Sequence, residues 1–143
     1  MTTPADPRLA AFAAQLAAIH DGLREMLAAV LADLEAARTG SRPAELLEHC
    51  YAFCGAVSGH HRNEDDAGFS AVVDLAPATA PAIQELRREH EVVAGLLRDL
   101  EGLLSSGRPA DEIGRSVDGL AALLESHFRY EERTLDTAIA GTP

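Results

Sequence analysis

Apolar residues recur in steps of three and four along four segments of the sequence, and this pattern limits the chain to helical folds. Residues at these spacings lie above one another on an α-helix, so each segment would bury one face. The first stripe comprises Leu9, Leu16, Ile19, Leu23, Leu27, Val30 and Leu34. The predicted helices cover residues 7–37, 43–66, 80–105 and 111–137. Because the connections are short, the sequence predicts an all-α fold, an antiparallel up-down-up-down four-helix bundle, as a single domain over residues 1–143.

Turn and capping residues bound these helices. Ser41 could cap the second helix, with Pro43 in its first turn, and Asp111 could cap the fourth. After Asp66 the stretch AGFSAVVDLAPATAP loses the helical pattern and contains two prolines. The sequence therefore predicts a frayed, solvated helix end at Asp65 and Asp66, followed by a loop.

The charge of the chain limits the kinds of partner that it can bind. A formal net charge of −11 and a pI near 4.8 create a field that repels nucleic-acid phosphates and anionic membrane surfaces. The apolar run near the N-terminus follows no basic segment, and polar residues interrupt it before it reaches the length of a membrane span. We therefore expect a cytoplasmic protein without nucleic-acid or membrane partners, either a monomer or a weak homo-oligomer.

The two cysteines, Cys50 and Cys54, lie one turn apart on the second predicted helix. The pair could in principle be bridged, but in a reducing compartment two buried thiols that pack as small apolar groups are the commoner case. A CxxC motif is absent from the sequence, so thioredoxin-like and zinc-ribbon readings have no support.

Histidines and glutamates interrupt the apolar stripes. Each predicted helix carries one inward histidine, and two of the four are followed four residues later by a glutamate on the same face. These residues are His20, His60 with Glu64, His90, and His127 with Glu131. One inward histidine is usually a hydrogen-bonded core residue, but the joint pattern favours a metal site, since a buried carboxylate pair is costly unless it is paired or metal-bound.

The positions of these residues along the helices allow them to meet. At about 1.5 Å per residue, His20 lies roughly 18 to 20 Å from the start of its helix and His90 roughly 13 to 17 Å. The two His-Glu pairs lie near the C-terminal ends of antiparallel neighbours, at the same level. Imidazoles with two carboxylates that can bridge suit a pair of iron ions about 3.5 to 4 Å apart, with positions left for a small ligand.

Three stretches carry a family resemblance: EHCYAFCGAVSGHHRNEDD, LRREHEVVAGLLRDLEGLL and LAALLESHFRYEERTL. With the histidine of the first helix they resemble the hemerythrin-like family, the HHE cation-binding domain, most closely its actinobacterial type. The resemblance implies a non-haem centre of two iron ions, oxo- or hydroxo-bridged, that meets dioxygen, hydrogen peroxide or nitric oxide. By the same resemblance the terminal ligands are His20, His60, His90 and His127, and the bridges are Glu64 and Glu131.

The sequence departs from the family pattern at Ala94 and after the acidic run, and it contains two further histidines, His61 and His49. Oxygen carriers of the family have a second histidine one turn after the third-helix ligand, where this chain has Ala94. Some relatives coordinate through the residue after the HxxxE histidine, which here is His61, so His61 is either a ligand or a residue outside the coordination sphere. His49 lies three turns before His60, too far to bind the same ions. The usual LFP after the acidic run is missing, which leaves the loop around Phe69 open.

The sequence is compatible with three functions. The first is a di-iron protein that reacts with dioxygen or peroxide, by peroxide decomposition in oxidative stress or by oxygen binding; the missing histidine at Ala94 puts catalase-like turnover slightly ahead. The second is a di-iron oxygenase acting on a small organic or nitrogenous substrate. The third is a non-enzymatic module that senses dioxygen, nitric oxide or iron.

Overall fold

The computed structural model describes residues 6–40 and 45–141, and these residues form helices joined by short turns. The helices are α1 (Pro7–Arg38), α2 (Glu45–Asn63), α3 (Phe69–Leu75), α4 (Ala80–Ser105) and α5 (Ala110–Ile139). A π-helical turn (Glu64–Gly68) joins α2 to α3, and a 3₁₀ turn (Pro77–Thr79) leads into α4. No strand occurs in the described ranges. The predicted all-α four-helix bundle is confirmed, with α2 and α3 together forming its second member.

The ends of the long helices follow simple backbone chemistry. The Asp6 side chain caps α1 by accepting a hydrogen bond from the Arg8 backbone N–H at 2.9 Å, and Pro7 occupies the first turn. Gly40 and Gly107 follow α1 and α4 with positive φ angles of 94° and 67°, which glycine adopts at little cost. Asp111 does not cap α5, contrary to prediction, because the helix begins one residue before it. Ser41 and Pro43 lie outside the described residues.

The prediction of a loop directly after Asp66 is wrong, because the chain stays helical to Leu75. The Phe69 N–H bonds to the Glu64 carbonyl, five residues back, which widens the turn without breaking the helix. Phe69 and Val72 are buried on the continuation, and their burial explains why the segment stays helical where its short-range pattern is weak. The guanidinium of Arg87 in α4 donates to the Asp65 carbonyl at 2.8 Å and so ties the widened turn to the bundle.

Two apolar clusters fill the bundle, with a polar layer between them. The larger cluster is built from seventeen buried residues: Leu23, Val30, Leu34, Leu46, Cys50, Phe53, Cys54, Val57, Val93, Leu97, Leu100, Leu104, Ile113, Val117, Leu120, Leu124 and Phe128. The smaller cluster has seven: Leu9, Leu16, Phe69, Val72, Ile83, Leu86 and Leu135. Ile19, expected in the buried stripe of α1, is 39% exposed beside the polar layer.

Candidate metal centre

Seven buried histidine and glutamate side chains form the polar layer. Their nitrogen and carboxylate oxygen atoms fall into two groups, and within each group one donor atom per residue lies within 4.8 Å of the others. The first group is His61, Glu64, His90 and His127, and the second is His20, His60 and Glu131. Nε2 of His90 and Nε2 of His127 face each other at 3.2 Å. All seven side chains proposed from the sequence therefore converge, including His61, which is only 5% exposed.

The two glutamates link the groups. Oε1 of Glu131 lies 2.9 Å from Nε2 of His20, while its Oε2 lies 3.2 Å from Nε2 of His127. Oε1 of Glu64 lies 3.3 Å from Nε2 of His60 and 3.3 Å from Nε2 of His90. Each carboxylate therefore faces histidines of both groups, which is the arrangement that bridging ligands require.

Several donor atoms in this layer are buried without a hydrogen-bond partner in the described residues. They are Nε2 of His60, Nε2 of His61, both carboxylate oxygens of Glu64 and Oε2 of Glu131. A buried polar atom left without a partner costs about 1 to 3 kcal/mol, more when charged. A cation between the groups would satisfy these atoms together, so the residues present fit a metal centre.

The family comparison agrees with this geometry. A model of the hemerythrin family, described as the hemerythrin HHE cation binding domain, matches residues 11–139. The chain belongs to this family. Comparison with curated proteins and with solved structures gives no match. The resemblance inferred from the sequence is confirmed, and this HHE domain carries His and Glu groups able to hold a metal cation.

Three further carboxylates, which we call the outer carboxylates, accept hydrogen bonds from the Nδ1 side of histidines of the HHE domain. Nδ1–H of His20 donates to Glu132 at 3.0 Å, that of His90 to Asp65 at 2.9 Å, and that of His127 to Glu89 at 2.8 Å. These bonds turn each Nε2 toward the centre and raise the donor strength of the imidazole. Asp65 is therefore not simply a solvated helix end, contrary to prediction, whereas Asp66 is exposed.

In the metal-free layer the pKa values of the two glutamates shift in opposite directions. Burial raises the pKa of Glu64 to about 9. Burial also acts to raise the pKa of Glu131, but the imidazoles of His127, His20 and His90 around its carboxylate outweigh this effect and hold that pKa well below the usual range. Without metal, Glu131 therefore carries the charge and Glu64 keeps a proton. Binding a cation would release that proton.

The pKa values of three histidines in the layer also shift in different directions. Burial lowers the pKa of His60 to about 4 and that of His61 to about 2, so both rings are neutral and available as donors near pH 7. For His90 the burial effect is outweighed by the nearby carboxylates of Glu131, Glu64 and Asp65, which raise its pKa to about 10. The raised pKa keeps the His90 imidazole protonated near pH 7 in the metal-free layer, and a bound cation would displace that proton.

Two cavities reach the layer from outside. One of about 390 Å³ is bordered by His61, His90 and Ala94. The other, of about 200 Å³, is bordered by His60 and Glu64, with Gln15 and Asn63 also on its wall. A larger cavity of about 750 Å³ lies at the end of the bundle and is lined by none of the seven side chains. Small molecules therefore have short routes to both groups.

The remaining sequence candidates lie outside the layer. His49 has a side chain 41% exposed and pairs with Asp33, and it belongs to neither group. Cys50 and Cys54 are free thiols in the larger cluster, and burial raises their pKa values to about 11 and 12. No described helix combines the length and apolar character needed to cross a membrane.

Proposed function

We propose that the seven side chains hold two iron ions. His61, His90 and His127 would bind one, His20 and His60 the other, and Glu64 and Glu131 would bridge them. The observation that carries this proposal is the position of Glu131, whose two oxygens face histidines of different groups. Imidazole with carboxylate is a donor set suited to iron, and paired carboxylates with histidines on facing helices form di-iron sites in other helical bundles.

The two metal positions are unequal in this assignment. Counting both bridging carboxylates, the first has five protein donors and the second has four. Six-coordinate iron would therefore have more room at the His20 and His60 position. The cavity of about 200 Å³ beside His60 and Glu64 opens on that position and is large enough for dioxygen or peroxide.

We propose that this centre reacts with hydrogen peroxide and dioxygen, with peroxide decomposition as its main activity. A reduced iron pair supplies two electrons, which matches the reduction of an O–O bond. The outer carboxylates add negative charge behind three ligands and so favour the oxidised state of the pair, which suits turnover better than reversible oxygen binding. Phe12, Leu16 and Ile19 form the apolar side of the cavity and restrict water. His61 lies where it can replace the histidine missing at Ala94, so the case for turnover rests on these carboxylates rather than on a missing ligand.

A second candidate, an oxygenase for a small organic substrate, is favoured by the cavity of about 390 Å³ beside His61, His90 and Ala94. This cavity has room for a molecule larger than peroxide. Substrate-dependent oxygen uptake by the reduced protein would support it, and the same uptake with and without organic compounds would exclude it.

Iron content tests the centre. We expect about two irons per chain in the purified protein, loss of iron in His127→Ala, and wild-type iron in His49→Ala, because His49 lies outside both groups. Zinc alone, no metal, or equal loss of iron in both variants would contradict the assignment.

Peroxide turnover tests the reaction. The oxidised protein should show the absorption of a bridged ferric pair, and the band should return after each addition of hydrogen peroxide while dioxygen is released. A band that is bleached once and does not return, or a stable dioxygen adduct reversed by removing the gas, would favour the other functions.

A further inference from the structure

A six-residue stretch occurs twice in the centre. HHRNED begins at His60 and HFRYEE begins at His127, with histidine, arginine, glutamate and an acid at matching places. The first runs from α2 into the π-helical turn and the second lies in α5. The inward histidines His20 and His90 lie on the two remaining long helices, α1 and α4. The centre therefore consists of two similar half-sites. One half-site is the stretch HHRNED with His90, and the other is the stretch HFRYEE with His20.

The distances within the half-sites correspond. The HxxxE pairs match, since His60 lies 3.3 Å from Glu64 and His127 lies 3.2 Å from Glu131. Each of the two remaining histidines, His20 and His90, faces one of these glutamates. It also faces the outer carboxylate that directly follows that glutamate in sequence. His20 lies 2.9 Å from Glu131 and 3.0 Å from Glu132, while His90 lies 3.3 Å from Glu64 and 2.9 Å from Asp65. An approximate two-fold relation thus exchanges the two half-sites.

The half-sites differ at the residue after each HxxxE histidine. The ring of His61 stacks on His90, with centroids 3.8 Å apart and planes inclined by 12°. The ring of Phe128 stacks on His20 in the same way, at 4.0 Å and 18°. Under the exchange, the group of His61, Glu64, His90 and His127 becomes Phe128, Glu131, His20 and His60, which is the second group with phenylalanine in place of its fourth donor.

We propose that His61 and Phe128 occupy equivalent positions and that the histidine-to-phenylalanine difference between them decides which metal position is more open. The inference rests on the proposed iron pair. Phe128 fills the place of a ligand, stacks on His20 and donates nothing to a metal. A histidine at position 128 would bring an imidazole nitrogen to the second group, just as His61 brings one to the first.

The residues at positions 94 and 24 are consistent with the equivalence of His61 and Phe128. Ala94 corresponds to Arg24 in the other half-site, one turn after the inward histidine in each case. The Arg24 guanidinium pairs with Glu125 at 3.0 Å and with Glu132 at 3.3 Å, and its carbon lies 5.5 Å from the Phe128 ring centroid, outside the metal layer. His61 and Phe128 therefore stack on the inward histidines, whereas Arg24 pairs with carboxylates and Ala94 has no donor atom to offer.

The test uses Phe128→His and the exchange variant that combines it with His61→Phe, each loaded with ⁵⁷Fe and oxidised. Wild type should give two Mössbauer doublets, because its irons have different numbers of histidines. Phe128→His should bring the doublets together and weaken azide binding by about tenfold or more, since its added donor fills the open position. The exchange variant should separate the doublets again and regain azide affinity. Tyr51→His, which adds an imidazole at a side chain 43% exposed and outside both groups, should behave as wild type.

The outcomes separate the two proposals. A wild-type protein without a pair of irons would overturn the proposed function. An iron pair in wild type, with separate doublets and unchanged azide affinity in Phe128→His, would overturn the equivalence alone. If circular dichroism shows that Phe128→His does not fold, His61→Phe gives the decision: merged doublets with azide binding retained support the equivalence, and separate doublets refute it.

Discussion

The larger and smaller apolar clusters lie on opposite sides of the polar layer and differ in the interactions that stabilise them. The larger cluster draws seventeen buried residues from the four long helices. The smaller one has seven, from the ends of the bundle and from α3, and it borders the cavity of about 750 Å³. Burial of apolar surface stabilises in proportion to area, so the larger cluster can order its end alone. The smaller cluster depends on the layer that connects it to the rest.

Without metal, the polar layer contributes little to the stability of the fold. Its seven side chains are buried, and several of their donor atoms lack partners in the described residues. A bound cation would reverse the sign of this contribution, because the atoms without partners would become ligands. The two ends of the bundle should therefore respond differently when metal is removed.

Removal of iron should have the largest effect. With free metal at about a thousand times its dissociation constant, binding adds roughly 4 kcal/mol to the free energy of unfolding, and chelation removes this amount. Amide exchange should rise mainly at the end that contains Leu16, Val72 and Leu86, while Val30 and Leu100 stay protected. Equal loss of protection at both ends would show that the clusters are not independent.

A matched pair of cavity variants on α4 comes next. Leu86 and Leu100 are both 0% exposed, one in each cluster. Each change to alanine should cost about 3 kcal/mol, measured by denaturant unfolding of the metal-free protein. Leu86→Ala should also weaken iron binding, because Leu86 lies one turn from His90, and Leu100→Ala should not. Equal iron affinity in the two variants would contradict the distinction between the clusters.

An outer carboxylate should have a smaller effect, confined to the metal. Glu89→Gln replaces the acceptor of the His127 Nδ1–H and should lower iron affinity by about 10- to 100-fold, measured by competition with a chelator. Glu85→Gln, one turn earlier on α4, removes only a surface pair with Arg88 and should leave the affinity unchanged. A similar loss in both would point to general surface charge rather than to the hydrogen bond.

The pH dependence of the metal-free protein combines contributions of opposite sign, which overlap below pH 6.5. The lowered pKa values of His60 and His61 mean that the unfolded chain binds more protons below pH 6.5, so their contribution to stability rises with pH up to that point. The raised pKa of Glu64 acts oppositely, from its ordinary 4.5 to about 9, and that of His90 from 6.5 to about 10. Urea unfolding across pH should therefore show a maximum near pH 6.5 that disappears with iron bound. Stability that keeps rising to pH 9 would contradict these directions.

The sequence was sufficient for the bundle and for the residues of the layer, because helical periodicity and inward polar residues are local signals. It failed where structure depends on packing between helices. The stretch after Asp66 looks like a loop on its own, but burial of Phe69 and Val72 keeps it helical. Ile19 fits the apolar spacing of α1 and yet lies partly exposed at the edge of the layer.

The outer carboxylates show the same limit. Glu89 and Glu132 stand next to predicted ligands, and Asp65 follows Glu64, but only the positions of neighbouring helices reveal which histidine each one holds. The repeated stretch at His60 and His127 is visible in the sequence, although it is much shorter than the repeats of roughly 20 to 50 residues that define repeat folds.

Crystallographic anomalous scattering at the iron absorption edge tests the central claim most directly. We predict two iron peaks inside the layer, one enclosed by His61, His90 and His127 and the other by His20 and His60, with Glu64 and Glu131 contacting both. A single peak, or peaks bound by residues outside these seven, would contradict the account.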